Sequence, residues 1–369
     1  MRSRHIIKTA EVSALCMSLS GKEKRTLVSF ECDYNNGACP EILNRLMELN
    51  DERLPGYGAD PYSLRAKERI RNACGMPDAD VELLSGGTQT NAVVISTLLR
   101  DHEGVIAATT GHISAHEAGS IEFTGHKVIE LPGTQGKLSA DTLRNYLAQF
   151  FADQNREHMV WPGMVYISYP TEYGTLYSRD ELSGLAAVCR AHRIPLYLDG
   201  ARLAYGLMSP ACDLTLPQLA ELCDVLYIGG TNVGALCGEA VVFSRIPEPP
   251  HFIHAMKKRG ALLAKGRLLG IQFDTLFSND LYFRLGARGI RAADRMKSIL
   301  HDAQIPFFLE TPTNQQFILL EDAKLSVLSR QVSSSFWEKP DDAHTVVRLA
   351  TSWATTDEEL LALQAALSR

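Results

Sequence analysis

The sequence predicts an α/β protein: a mostly parallel seven-stranded sheet sandwiched by helices, followed by a smaller C-terminal α+β domain. Three observations carry this reading. Seven short apolar runs between Val81 and Phe243 alternate with helix-like segments, the pattern of a sheet wrapped on both faces. Most of these runs end in a turn of small or polar residues, where open α/β sheets hold their ligands. Pro247, Pro249 and Pro250 then mark a boundary. The expected organisation is an N-terminal extension over 1–27, a large domain over 28–250 and a small domain over 251–369.

Residues 1–27 hold several basic residues and an apolar patch, Val12 to Leu19, interrupted by Ser13 and Ser18. This reads as a disordered extension or an early start rather than a signal peptide, which needs a clean apolar core. From Val28 an extended stretch leads through Cys32 and Asp33 to a turn. Cys39-Pro40 then opens a helix to about Asn50, with proline in the first turn, where its missing N–H costs nothing. Gly56, Gly58, Pro55 and Pro61 make residues 54–62 a loop, and it carries Tyr57 and Tyr62. These two tyrosines are open either to a ligand or to the surface beneath them. A helix follows over Ser63 to Cys74, then a strand over Val81 to Leu84.

The turn Ser85-Gly86-Gly87-Thr88-Gln89-Thr90-Asn91 joins that strand to a helix. Unpaired N–H groups and the helix dipole at such a junction suit an anion. The turn is neither a dinucleotide fingerprint nor a Walker A loop, so it indicates a phosphate without naming its carrier. The strand Val105 to Ala108 ends near His112, at the mouth of the sheet. His112, His116 and Glu117 invite a metal reading, but the H-E-x-x-H order is absent and no third ligand stands at a suitable spacing, so no metal is expected. Strands over Lys127 to Leu131 and Met164 to Ser168, and helices over Ser139 to Phe151 and Arg179 to His192, continue the alternation.

The strand Ile194 to Leu198 runs into Asp199-Gly200-Ala201-Arg202. A carboxylate at the tip of an apolar strand is costly without a partner. An internal Asp199–Arg202 pair answers this pattern, and so does a ligand carrying both a cationic ring nitrogen and an anion. Val225 to Ile228 then delivers the small-residue loop Gly229-Gly230-Thr231-Asn232-Val233-Gly234 before a last strand, Ala240 to Phe243. Small residues let backbone approach a ligand closely, so Asn232 stands where chemistry is expected. The remainder is a helical segment over His254 to Leu300, then Phe317 to Leu320, a helix over Asp322 to Val332, Thr345 to Leu349 and a final helix over Asp357 to Leu367. Arg348, inside an apolar strand, calls for a nearby anion.

The net charge of -6 and pI near 6.0 argue against nucleic-acid and anionic-membrane partners, and no window approaches the roughly 18 apolar residues of a membrane helix. The eight cysteines are scattered, without a C-x-x-C pair, and read as reduced core residues of a cytoplasmic protein.

SGGTQTN, GHISAHEAG, DGAR and GGTNVGAL, together with FECDYNNGA, YGADPY, YISYPTEYGTLYS and VVRLATSWATT, resemble the threonine aldolase and β-eliminating lyase family. These enzymes use pyridoxal 5′-phosphate and share the aspartate-aminotransferase fold. The likeness extends from about Val28 to Leu367. It implies that Gly86, Gly87 and Thr88 hold the cofactor phosphate, that Thr231 also binds the cofactor, that His112 stacks on the ring, and that Asp199 pairs with the ring nitrogen and keeps the ring an electron sink. Arg202 and Arg348 would clamp the amino-acid carboxylate, with Cys32 on the substrate side. Tyr57 would reach a neighbouring subunit's site in a homodimer or homotetramer. The substrate is then a small β-hydroxy-α-amino acid, cleaved to glycine and an aldehyde.

One position departs from the resemblance. Asn232 stands where the family carries the lysine that forms a Schiff base with the cofactor. An amide nitrogen is not nucleophilic, so the cofactor would be held without a covalent bond. A slow lyase and a silent binding paralogue both follow from that arrangement, and a different lyase reaction such as β-elimination stays open because the cofactor and carboxylate contacts are shared. Lys257, Lys258 and Lys265 lie in the helical segment, and rescue by one of them is not expected. A nicotinamide-dependent enzyme is disfavoured, since the dinucleotide fingerprint is missing.

Overall fold

The computed structural model describes residues 27–368; all but Leu27 of the N-terminal extension lies outside them. Seven strands form the main sheet: β2 (Asp80–Leu84), β3 (Glu103–Ala108), β4 (Val128–Leu131), β5 (Trp161–Ser168), β6 (Leu196–Gly200), β7 (Val225–Gly229) and β8 (Glu239–Phe243), after a short β1 (Val28–Ser29). Their order is β2-β8-β7-β6-β5-β3-β4. Neighbours from β7 to β4 pair parallel, and β8 runs antiparallel to both β7 and β2. Every residue of β6, β7 and β8 is buried, because helices cover both faces. That is why these strands read as continuous apolar runs rather than alternating ones.

The carboxyl ends of β6 and β7 press closely together, Gly200 against β7 itself and Gly229 against the turn after β6. A Cβ on Gly200 would lie 2.1 Å from the Tyr227 carbonyl, and one on Gly229 would lie 2.3 Å from the Ala201 carbonyl. Only glycine permits this approach, and it brings the turn after β6 and the loop after β7 into one crevice.

Helix starts follow local chemistry. The second helix begins at Pro61, before the expected Ser63, because the Asp60 side chain caps the Ser63 amide and proline suits the first position. The segment expected as one helical stretch resolves into Phe252–Lys258, Arg267–Leu276 and Leu281–Asp302. Leu269, Phe273 and Leu276 of the middle helix join the core cluster that holds Ile228 and Ala240, so this helix packs on the large sheet.

The smaller C-terminal unit is an antiparallel sheet in the order β12-β13-β10-β9, formed by β9 (Phe307–Leu309), β10 (Gln315–Glu321), β12 (Ser335–Glu338) and β13 (His344–Ala350). The helix from Asp322 ends at Leu328, short of the expected Val332. Val332–Ser333 is instead β11, paired in parallel with β1. Phe30 enters the apolar core of this unit beside Met296, Ile318 and Leu349. The described residues therefore begin beside the small unit, in the β1–β11 pair, and pass the crevice at Asp33 on their way to the large sheet.

Candidate active site

At one end of the crevice stands the helix Gly87–Leu98, whose N-cap is Gly86 in extended conformation with no side chain to cap the first turn. The first-turn N–H groups of a helix have no intrahelical partner, so this junction offers amide donors and the positive end of the dipole. A Cβ on Gly87 would come within 3.2 Å of the Tyr227 hydroxyl, which keeps that wall thin. Gly86, Gly87, Thr88, Thr231 and Asn232 all line the same cavity of about 400 Å³, together with His112, Asp199 and Arg202.

Asp199, 4% exposed, is held in place by three donors: the Tyr166 hydroxyl at 2.6 Å, the Asn91 amide at 3.1 Å and the Ala201 backbone N–H at 3.0 Å. Three neutral donors fix the carboxylate without cancelling its charge. His112 lies opposite in sequence order, at the start of a short helix, with Nδ1 3.1 Å from Glu117 Oε1 and its backbone N–H on Glu172. Burial opposes protonation of this ring, but Glu117 with Asp199 and Glu172 outweighs it and raises the imidazole pKa.

The other end is organised around Asp33. Arg202 donates to both its oxygens, at 2.8 and 3.0 Å. Asn232 Nδ2 donates to one oxygen at 2.8 Å and Asn314 Nδ2 to the other at 2.9 Å. Burial pushes the Asp33 pKa up, and Arg202 and Asn314 more than reverse this, so the carboxyl sits below its usual range. The Tyr205 hydroxyl donates to the Asn232 backbone carbonyl at 2.7 Å. The short-range Asp199–Arg202 pairing is thus not what forms. Asp199 turns toward β5, and Arg202, beyond the Gly200 turn, finds Asp33 instead.

Glu239, at the head of β8, accepts from Thr231 Oγ1 at 2.7 Å and the Gly230 amide at 3.1 Å. Burial dominates and pushes its pKa up to about 8. Burial likewise raises Glu172, against the hydrogen bond from Ser168.

A second chamber of about 540 Å³ adjoins the crevice and shares Tyr34, His112, His116, Glu172 and Arg202 with it. Arg348 lines its far side. This guanidinium meets neutral acceptors: Gln315 Oε1 at 3.0 Å, the Glu31 carbonyl at 3.1 Å and Ser335 Oγ at 3.2 Å. Its Nε is buried without a partner, and none of the ion pairs among the described residues includes it. His116 sits between the chambers, 5.6 Å from the His112 ring and 6.0 Å from Trp337, centroid to centroid. Burial, then the His112, Arg348 and Arg202 cations, hold its pKa below the usual value.

The structure brings Gly86, Gly87, Thr88, His112, Asp199, Arg202, Thr231 and Asn232 together around one cavity, with Arg348 in the adjoining chamber. Cys32 and Tyr57 do not line the crevice within one chain. Cys32 Sγ faces Asn35 Oδ1, while Tyr57 is exposed, with Lys257 Nζ 4.3 Å from its ring centroid. No lysine is among the described residues that line the crevice. Sequence reading missed Glu172, Glu239, Asn91, Tyr166 and Asn314, and weighed His116 only as a metal ligand. Glu239, an acid heading a fully apolar strand, carried a usable signal; the others gained meaning only from the fold.

The same architecture occurs in pyridoxal-phosphate enzymes. An aspartate aminotransferase from Thermus thermophilus superposes with a TM-score of 0.65 over all of both chains at 14% identity, a likeness of fold alone. The chain belongs to the beta-eliminating lyase family, whose profile matches residues 30–310. Within that family it is threonine-aldolase-like. A threonine aldolase structure from Leishmania major has a TM-score of 0.89 at 42% identity, covering 92% of this chain and 98% of that one. A low specificity L-threonine aldolase from Pseudomonas sp. is 28% identical over 307 residues, 81% of this chain and 86% of the relative. Membership implies pyridoxal phosphate as cofactor and a carbon–carbon lyase as the enzyme class.

Proposed function

We propose that the crevice binds pyridoxal 5′-phosphate without a covalent link, and that the protein cleaves β-hydroxy-α-amino acids to glycine and an aldehyde at a rate limited by Asn232. The observation that carries this reading is one 400 Å³ cavity bounded by a helix N-terminus, a buried carboxylate and a histidine ring, which matches the phosphate, ring nitrogen and ring face of that cofactor. When bound, it supplies the electron sink that lets a bond at the amino-acid Cα break.

The chain's own residues divide the remaining work. The Gly87 and Thr88 amides with Thr231 hold phosphate. Asp199, fixed by Tyr166 and Asn91, keeps the ring nitrogen protonated. Arg348 supplies the charge for the substrate carboxylate, because Arg202 is already neutralised by Asp33; Arg202 adds hydrogen-bond geometry rather than net charge. His116, biased toward the neutral imidazole, is a base placed between the two chambers, able to accept the hydroxyl proton as the Cα–Cβ bond breaks. Cys32 and the Tyr57 of a neighbouring copy complete the substrate side in a homodimer or homotetramer. We place this assembly in the cytoplasm, in keeping with seven free cysteines among the described residues.

The test is the visible spectrum of the protein with pyridoxal phosphate, followed by assay of acetaldehyde and glycine from L-threonine. The expected result is a free-aldehyde spectrum and slow product formation. A covalent lysine band before substrate would overturn the non-covalent reading; complete absence of product with bound cofactor would leave a binding paralogue instead.

A further inference from the structure

We propose that Glu117 is a positioning residue: by holding Nδ1 of His112 it fixes the tautomer and the tilt of the ring that faces the cofactor. The inference rests on the reading of the crevice as a pyridoxal-phosphate site and adds to it the group that orients the histidine.

The Glu117 side chain is fully buried, whereas that of His112 is 37% exposed and open to the crevice it lines. Glu117 Oε1 lies 3.1 Å from His112 Nδ1. The same oxygen accepts from Asn91 Nδ2 at 2.8 Å, and Oε2 accepts from Ser120 Oγ at 2.8 Å. The Tyr197 hydroxyl donates to Asn91 Oδ1 at 2.8 Å, which turns the amide nitrogen toward Glu117 and Asp199. The carboxylate is thus fixed from both sides before it meets the histidine, and it can answer a ring nitrogen only as an acceptor. Neutral His112 must then carry its proton on Nδ1, which leaves Nε2 and the ring face to the crevice.

The backbone bends to make this contact. After the short helix His112–Ala115 the chain reverses in a turn closed by the Ser120 N–H on the Glu117 carbonyl at 3.0 Å. The two central residues of the turn are Ala118 at φ 52° and Gly119 at φ 72°. That left-handed region suits glycine and is unfavourable for alanine, and such strain persists where surrounding contacts over-determine a position. Here the contacts are those that Asn91, Ser120 and His112 make with Glu117. The other ionisable neighbours leave the imidazole nitrogens alone. Glu172 takes the His112 backbone N–H, His116 lies 5.6 Å away ring to ring, and Asp199 is held by Tyr166, Asn91 and Ala201. Among the described residues Glu117 is the acid that reaches the ring, and His112 is its one ion-pair partner.

NMR of the imidazole groups in the full chain without cofactor tests the tautomer. His112 is expected to hold its proton on Nδ1 when neutral; an Nε2–H tautomer in the unaltered protein would overturn the proposal. Glu117→Gln should lower the His112 pKa by at least about one pH unit, because it removes the opposite charge beside the ring. Calorimetric titration with pyridoxal 5′-phosphate tests the positioning. A ring released from Glu117 has to be ordered on binding, so the affinity should fall about three- to tenfold in Glu117→Gln. In a His112→Phe background, which keeps a flat ring that needs no carboxylate, the same substitution should change affinity by less than about twofold. An equal loss in both backgrounds would make Glu117 a structural residue only and overturn the proposal. Thermal melts control for folding, and should Glu117→Gln fail to fold, the tautomer in the unaltered chain decides. Failure of the unaltered chain to bind pyridoxal 5′-phosphate would overturn the cofactor reading and the role of Glu117 with it, an outcome distinct from a wrong tautomer.

Discussion

The two ends of the crevice are built by different means. At the Gly86–Asp199 end each functional group sits in a strand-to-helix turn or at a strand tip, so its place in the fold follows from the adjacent residues, and Tyr166 and Asn91 then fix the Asp199 carboxylate. At the Asn232 end the groups come from four distant parts of the chain. Asp33, Arg202, Asn232 and Asn314 converge on one carboxylate, with sequence separations of 169, 199 and 281 residues from Asp33. The first end is the one we propose for the cofactor's phosphate and ring nitrogen. At the second we propose that Asn232 stands in place of a lysine nucleophile on an intact scaffold. The scaffold is tight at this point, because the Asn232 amide satisfies Asp33 as a buried donor should.

Reversing that replacement is the largest effect we expect. Asn232→Lys should raise cleavage of L-threonine by at least about a thousandfold, equivalent to about 4 kcal/mol of barrier, and produce a visible band of lysine-bound cofactor. Stopped assays of acetaldehyde and the absorbance spectrum check both. A spectrum without the band and an unchanged rate would mean that the Asn232 end has lost more than its lysine.

Breaking the scaffold is the next test. Asp33→Ala leaves the Arg202 guanidinium buried beside two amides that lose their acceptor. Removing one partner of such a pair costs about 3–5 kcal/mol, and the thermal midpoint should fall accordingly. An equivalent change at the other end, Tyr166→Phe, removes one of three donors to Asp199 and should cost about 1 kcal/mol. If the two losses were equal, the contrast between a long-range and a local end would fail.

That contrast also explains what could be read from sequence. Apolar runs fully buried in β6, β7 and β8 left an unambiguous alternation. The SGGTQTN turn and the Asp199 tip were legible because a turn and its helix start are neighbours in the chain. The partner of Arg202 was not, since sequence proximity favoured Asp199 and only the folded chain brings Asp33 near. His116 was hidden for a related reason: its value lies in facing two chambers, one of them closed by Trp337 from the small sheet.

Glu239 offers a smaller effect with a definite sign. Its folded pKa of about 8 stands above the ordinary glutamate value of 4.5, so the native state binds this proton more tightly than the unfolded chain. The corresponding stability is fully present below pH 4.5 and is lost as pH rises toward 8, by at most about 1.4 kcal/mol per unit. Glu239→Gln should flatten that slope in denaturant titrations between pH 5 and 8. A slope unchanged by the substitution would place the buried charge elsewhere in the crevice.

The smallest effect separates the two arginines, and it needs the Asn232→Lys background so that turnover can be measured. Arg348 faces only neutral acceptors, so a substrate carboxylate meets its full charge, and Arg348→Lys keeps that charge while losing the planar fork. KM for threonine should rise about tenfold with kcat little changed, the signature of binding lost equally from ground and transition states. Arg202→Lys acts differently, because its fork is already spent on Asp33. That substitution should lower thermal stability by more than it raises KM. A tenfold rise in KM from Arg202→Lys with stability intact would reverse the assignment, making Arg202 the carboxylate anchor and Asp33 a partner it can leave when substrate arrives.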